Sequence, residues 1–261
     1  MSHNKQPRSH LLITGASSGL GAALARHHAA AGASLSLSGR DPDRLSEVVE
    51  ACRAAGAEVV SAIIDVTDAA TMTAWVEERD EAQPLDLVYA NAGIGGTASL
   101  AGSKGEDPDT ARRIFEVNTL GVVNTVAPLV PRMMERRRGH LVIVSSMASL
   151  IALPHSPAYC GSKAAVTVYG EALRRLLEPA GVRLSLVHPG FVDTPMSAAL
   201  PYDRHALWTA DRAARHIAGR VARGARRIDF PLRFKIALGA VHLLPTRLVD
   251  FALARSMRTG Q

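Results

Sequence analysis

Short apolar runs alternate along the chain with longer segments whose apolar positions recur every three to four residues. HLLITG (10–15) precedes an alanine-rich stretch at 18–31, and SLSLSG (34–39) precedes a segment opened by Asp41-Pro42 and closed near Gly56. AEVVSAIIDVTD (57–68) leads into a segment around Thr71–Glu81, and LDLVYANAG (85–93) is almost entirely apolar until its Asn-Ala-Gly end. HLVIVSS (140–146) and VRLSLVHPG (182–190) continue the series, separated from the preceding runs by long segments at 109–137 and 157–178. The runs predict strands covered on both faces, and the segments between them predict helices, with proline suited to a first helical turn. Strands joined by helix-length crossovers imply an α/β fold with one doubly wound parallel sheet.

After Gly190 the pattern loosens. Residues 191–209 carry two prolines and few regular signals, which predicts an irregular loop with short helical turns. Residues 210–223 predict an amphipathic helix with Ala214, Ile217, Ala218 and Val221 on one face. RRIDFP (226–231) is a candidate last strand, and 232–244 a final apolar helix stopped before Pro245.

At 261 residues the chain suits one core, read as a single domain over 10–261. The polar opening MSHNKQPRS (1–9) predicts a disordered tail and lacks the apolar stretch of a secretory signal. No uninterrupted run reaches the roughly 18 apolar residues of a membrane span. Two cysteines, Cys52 and Cys160, lie outside any CxxC spacing, so neither a disulfide framework nor a metal site is expected, and the location expected is cytoplasmic. The net charge of +6 is uneven: residues 201–261 hold 12 basic and 4 acidic side chains. With aromatics at only 4%, the basic excess does not read as a nucleic-acid surface.

TGASSGLG (14–21) stands between the first predicted strand and helix. Gly15, Gly19 and Gly21 would let a dinucleotide pyrophosphate rest on the helix N-terminus, in G-x-x-x-G-x-G spacing. An acidic residue about twenty positions on would hold the ribose of NAD; here the second strand ends Gly39-Arg40. A guanidinium at Arg40 suits a 2′-phosphate and favours NADP(H) over NAD(H). Asp65 and Val66, ending the third strand, would lie beside the adenine, and Asn91, Ala92 and Gly93 would floor the cofactor. Tyr159 and Lys163 are four apart on a helix and share a face. An ammonium nearby favours the phenolate and lowers the phenol's pKa. Ser146 ends the fifth strand thirteen residues upstream of Tyr159, and Asn118 lies within the predicted 109–137 helix. Each motif alone also has a structural explanation: a tight turn, a solvated arginine, a Tyr–Lys pair on a helix surface, an asparagine that kinks a helix.

Taken together, TGASSGLG, DVT, NAG, VNTLG, the serines 145–146, YCGSK and HPGFVDTP resemble the short-chain dehydrogenase/reductase family in its single-domain form, from His10 to about Met196. The resemblance implies a Rossmann-like fold and hydride transfer between NADP(H) and an alcohol/carbonyl pair. It implies that Ser146 holds the substrate oxygen, Tyr159 transfers its proton, and Lys163 lowers the tyrosine pKa and binds the nicotinamide ribose. Asn118 would anchor a water relaying protons from Lys163. Ser17, Ser18 and Leu20 belong to the phosphate turn, while Pro189, Gly190, Val192 and Thr194 would line the nicotinamide. The segment 191–261 would supply a substrate lid and a C-terminal extension, with 232–244 adding an apolar wall that favours a hydrophobic small-molecule substrate.

The chain departs from the Asp-Gly-Gly ending with which many family members pack into tetramers. A homodimer through 109–137 and 159–178 is the expectation instead. The rival functions are a non-catalytic NADP-binding regulator and a membrane-surface reductase of lipid or sterol type. The intact Asn118, Ser146, Tyr159 and Lys163 set argues against the first. The alanine-rich helix 210–223, without bulky anchors, argues against the second.

Overall fold

The computed structural model describes residues 9–95, 106–198, 207–234 and 244–250. Seven strands form one parallel sheet in the order β3-β2-β1-β4-β5-β6-β9. They are β1 (His10–Thr14), β2 (Ser34–Gly39), β3 (Glu58–Ile63), β4 (Leu87–Ala90), β5 (His140–Val144), β6 (Arg183–Pro189) and β9 (Arg227–Phe230). A separate two-strand ribbon pairs β7 (Val192–Asp193) with β8 (Trp208–Thr209). The chain winds outward from β1 to β3, then returns to place β4 on the other side of β1. That reversal of direction opens a crevice at the carboxyl ends of β1 and β4.

The helices lie on both faces. On one face α1 (Gly19–Ala29), α2 (Pro42–Ala54) and α9 (Ala210–Ala222) bury Leu24, Leu45, Val49, Ile217 and Val221 with Leu11 and Ile13 of β1. On the other, Leu12 of β1 meets Met72 and Val76 of α3 (Ala69–Ala82) and Val166 and Leu173 of α7 (Pro157–Leu177). The period-2 alternation of a single strand thus divides its leucines and isoleucine between two cores. Most helices that start from a loop carry a side-chain cap: Asp41 accepts from the Arg44 N–H at 3.0 Å and Asp68 from that of Thr71 at 3.0 Å. Asp107 does the same for Thr110 at 2.8 Å, and Thr209 for Arg212 at 3.3 Å.

The helix expected over 109–137 is interrupted. It runs as α4 (Pro108–Phe115), a π turn (Glu116–Leu120), α5 (Gly121–Val126) and α6 (Leu129–Glu135). The wide turn carries Asn118 inward to full burial, and Ala127-Pro128 breaks the second junction. By length and mean hydropathy, Pro108–Glu135 could cross a membrane. Its Val117, Val122, Val126, Leu129 and Met133 instead form part of the second core.

Beyond Gly190, β9 does extend the sheet by pairing with β6, and α9 buries the expected Ala214, Ile217, Ala218 and Val221 together with Ala213. The ribbon fastens both ends of the 191–209 segment. Residues 199–206, most of the predicted 232–244 helix and the 1–8 part of the tail lie outside the described residues. Of the expected apolar wall, Leu232 is 63% exposed, whereas Phe234 faces the crevice.

Candidate active site

The glycine turn is shaped by backbone contacts that side chains would destroy. Gly15 and Gly19 take positive φ, and a Cβ at Gly21 would stand 2.2 Å from the Gly15 carbonyl oxygen. The Asn91 amide donates to the Thr14 carbonyl at 2.9 Å, while the Asn91 and Ala92 N–H groups donate to the Thr14 hydroxyl at 3.1 Å each. The end of β4 is thereby fastened to the end of β1. Ser18 precedes α1 without a side-chain cap, so the first N–H groups of this helix face the crevice unclaimed by a capping side chain.

The crevice is a cavity of about 770 Å³. It is lined by Gly15, Ser17, Ser18, Gly19, Leu20, Gly21, Arg40, Val66, Asn91, Ala92, Gly93, Ser146, Tyr159, Lys163, Pro189, Gly190, Val192 and Thr194. Two expected site residues do not line it: Asp65 turns to Thr67 and Arg113, and Asn118 lies behind the wall. Sequence reasoning passed over Arg44 and the apolar group Ile94, Met147, Ile151, Leu153, Phe191 and Met196 around the Tyr159 end, with His155 among them. The segment between Ser146 and Tyr159 was the available signal, since both of its ends enter the site.

Ser146 and Tyr159 line the same stretch of the cavity, and the Ser146 side chain is near enough to favour the phenolate. Lys163 is buried, donates from Nζ to the Val144 carbonyl at 3.0 Å, and lies 6.0 Å from the centre of the Tyr159 ring. Burial pushes the Lys163 ammonium down to about 8. Burial also pushes the Tyr159 phenol up, opposed by the nearby Ser146 side chain. Burial sets the direction of the phenol's shift, with the Lys163 ammonium 6.0 Å from the centre of the ring. Gly93 permits the close assembly, since a Cβ there would stand 3.1 Å from Asn118 Oδ1 and 3.4 Å from Lys163 Nζ.

The Asn118 side chain makes three hydrogen bonds within the protein. Oδ1 accepts from the Ile94 N–H at 2.8 Å; Nδ2 donates to the Ile94 carbonyl at 3.0 Å and to the Ser162 hydroxyl at 3.1 Å. Ser162 donates in turn to the Tyr159 carbonyl at 2.8 Å. The amide therefore ties the end of β4 to the turn of α7 that carries Tyr159.

At the far wall the Gly190 N–H donates to the Phe230 carbonyl at 2.7 Å, drawing the loop after β6 against β9. A Cβ on Gly19 would approach Thr194 Cγ2 to 3.0 Å, so the same loop returns to the glycine turn. Among the described residues no cluster of His, Cys, Asp or Glu could hold a metal.

A glycine-cradled crevice at a sheet's switch point, with a Ser–Tyr–Lys constellation at one end, defines a nucleotide-dependent oxidoreductase of the α/β type. The family profile described as short chain dehydrogenase matches residues 9–205. An uncharacterized oxidoreductase of Myxococcus xanthus is 36% identical over 248 residues, covering 95% of this chain and 96% of that protein. A short chain dehydrogenase/reductase from Burkholderia phymatum, solved in complex with NAD, superposes with a TM-score of 0.80 at 28% identity, covering 89% of this chain and 92% of that one. The fold is also that of a short-chain dehydrogenase from Sphingobium yanoikuyae in complex with NADPH, at 24% identity and a TM-score of 0.77, covering 90% and 94% of the two chains. The chain belongs to the short chain dehydrogenase family.

Proposed function

We propose that the protein transfers a hydride between NADP(H) and the alcohol/carbonyl pair of an apolar small molecule. The observation that carries this reading is the meeting of Ser146, Tyr159 and buried Lys163 in the same cavity as the glycine turn. A dinucleotide suits the residues present: the uncapped α1 terminus for a pyrophosphate and Arg40, beside Gly39 rather than a carboxylate, for a 2′-phosphate. When bound, it supplies or accepts the hydride. Ser146 orients the substrate oxygen, and the Tyr159 hydroxyl gives that oxygen its proton in reduction and takes it back in oxidation. Lys163, cationic below about pH 8, supports the phenolate and would bind the nicotinamide ribose. The Burkholderia protein's complex with NAD supports a nicotinamide cofactor in this fold.

Ile94, Met147, Ile151, Leu153, Phe191, Met196 and Phe234 around the reacting end support a hydrophobic substrate. The exposed apolar side chains Phe115, Leu120, Val168 and Leu176 on α4, the π turn and α7 support a homodimer through those helices. The free, buried Cys52 and Cys160 suit a reducing cytoplasm.

Arg40 is the position at which to test the cofactor. An aspartate at Gly39 would drive its Cβ to 2.9 Å from Ser17 Cβ and disturb the turn for either cofactor. Arg40→Gln should weaken NADPH by about ten- to a hundredfold, the worth of a charged hydrogen bond, and leave NADH nearly unchanged. Measuring kcat/KM for both cofactors with a panel of apolar aldehydes and ketones checks this. Preference of the wild type for NADH would overturn the assignment.

A further inference from the structure

Arg40 does not stand alone at the end of β2. Its guanidinium is 3.7 Å from Asp65 Oδ2, and the same oxygen is held by Nη2 of Arg113 from α4. Oδ1 of Asp65 accepts from the Thr67 N–H at 3.0 Å and the Thr67 hydroxyl at 2.8 Å. Burial opposes ionisation, but the Thr67 hydrogen bonds and the Arg113 guanidinium hold this carboxyl below the usual carboxylate range. A fixed anion therefore stands within ion-pair reach of the residue that would meet a 2′-phosphate. Arg44, the other guanidinium lining this end of the cavity, is already paired with Asp41 at 3.2 Å. Arg113 also donates to the Thr67 hydroxyl at 3.0 Å and reaches Glu116 at 3.4 Å, so its position behind the carboxylate is fixed from two elements.

We propose that Arg113 is a selectivity-determining positioning residue: it neutralises Asp65, so that the charge of Arg40 remains available to the 2′-phosphate of NADP(H). The proposal rests on the NADP(H) reading above. Without Arg113 the Asp65 carboxylate would hold Arg40 to itself and repel a phosphate dianion beside it. NAD(H), with only hydroxyls on that ribose, would be nearly indifferent. Because all these groups are partly exposed, the effect is moderate, about three- to tenfold in affinity.

The test is equilibrium binding of NADP⁺ and NAD⁺, by quenching of tryptophan fluorescence, to the wild type and to Arg113→Gln, Arg113→Lys and Arg113→Gln/Asp65→Asn. Arg113→Gln should weaken NADP⁺ by about three- to tenfold and NAD⁺ by less than about twofold. Arg113→Lys should retain most of the NADP⁺ affinity. The double variant, which removes cation and anion together, should restore the NADP⁺/NAD⁺ ratio even if both affinities fall. Equal weakening of both cofactors by Arg113→Gln would make the residue merely structural, and failure of Asp65→Asn to restore the ratio would remove the electrostatic cause. If Arg40→Gln abolishes selectivity while Arg113→Gln retains it, only the role of Arg113 is overturned. A wild type without NADP⁺ preference overturns the cofactor reading and this proposal together.

Discussion

The two ends of the parallel sheet treat their polar groups in opposite ways. At the amino ends, His10 opens β1 and bonds through Nδ1 to the Gln83 carbonyl at 2.7 Å and through Nε2 to the Ser36 hydroxyl at 2.9 Å. His140 opens β5 in the same manner, with Nε2 2.8 Å from the Ser185 hydroxyl, which donates to the Ala225 carbonyl at 2.6 Å. Asp80 nearby accepts from the Leu85 N–H at 2.9 Å and pairs with Arg136 at 2.7 Å. At the carboxyl ends the glycine turn and the start of α1 lack such closure, and a cavity of about 770 Å³ remains. The amino end closes its polar groups on one another; the carboxyl end fastens its strands but leaves the α1 terminus facing the cavity without a side-chain cap. Substitutions at the two ends should therefore separate stability from turnover.

The largest effect expected at the open end is that of Tyr159→Phe. The ring keeps its packing and loses only the transferable proton, so kcat should fall by about 10²–10⁴-fold, with cofactor binding retained. Turnover within tenfold of the wild type would remove Tyr159 from the proton transfer.

The closed end predicts a pH effect on stability. Burial pushes His140 down to about 4, with Arg183 acting in the same direction, and burial also lowers His10. In the unfolded chain these imidazoles titrate near 6.5 and bind protons that the folded molecule refuses. Stability should therefore be full above about pH 6.5 and fall as pH drops toward 4, by up to roughly 3 kcal/mol for His140. Urea unfolding across that window checks it; a flat profile would show that the histidine accepts its proton without disrupting the fold.

The smallest effect is that of Ser36→Ala, which leaves His10 Nε2 without its hydroxyl partner. A loss of about 1–2 kcal/mol is expected, with kcat/KM unchanged because the site lies at the opposite end of the sheet. A matching loss of activity would contradict the separation of the two ends.

Much of the site was legible from local pattern. Gly15, Gly19 and Gly21 follow an apolar strand, and Tyr159 and Lys163 share a helix face by their four-residue spacing, so neither needs distant information to be placed. The parallel direction of the strands was foreshadowed by alternation alone, since helix-length crossovers leave little choice but a parallel sheet; their order was not. What only the tertiary structure decided depends on segments that meet from far apart in sequence. Asn118 was placed in an uninterrupted helix, but it lies in a π turn because its amide closes on Ile94 and Ser162, 24 and 44 residues away. The Tyr159 phenol shifts upward because the assembled walls exclude water, a quantity no spacing encodes. Arg113 reaches Asp65 across 48 residues, from a helix with no motif to mark it. Periodicity specifies which face a residue occupies; which charge it meets there depends on how the faces pack.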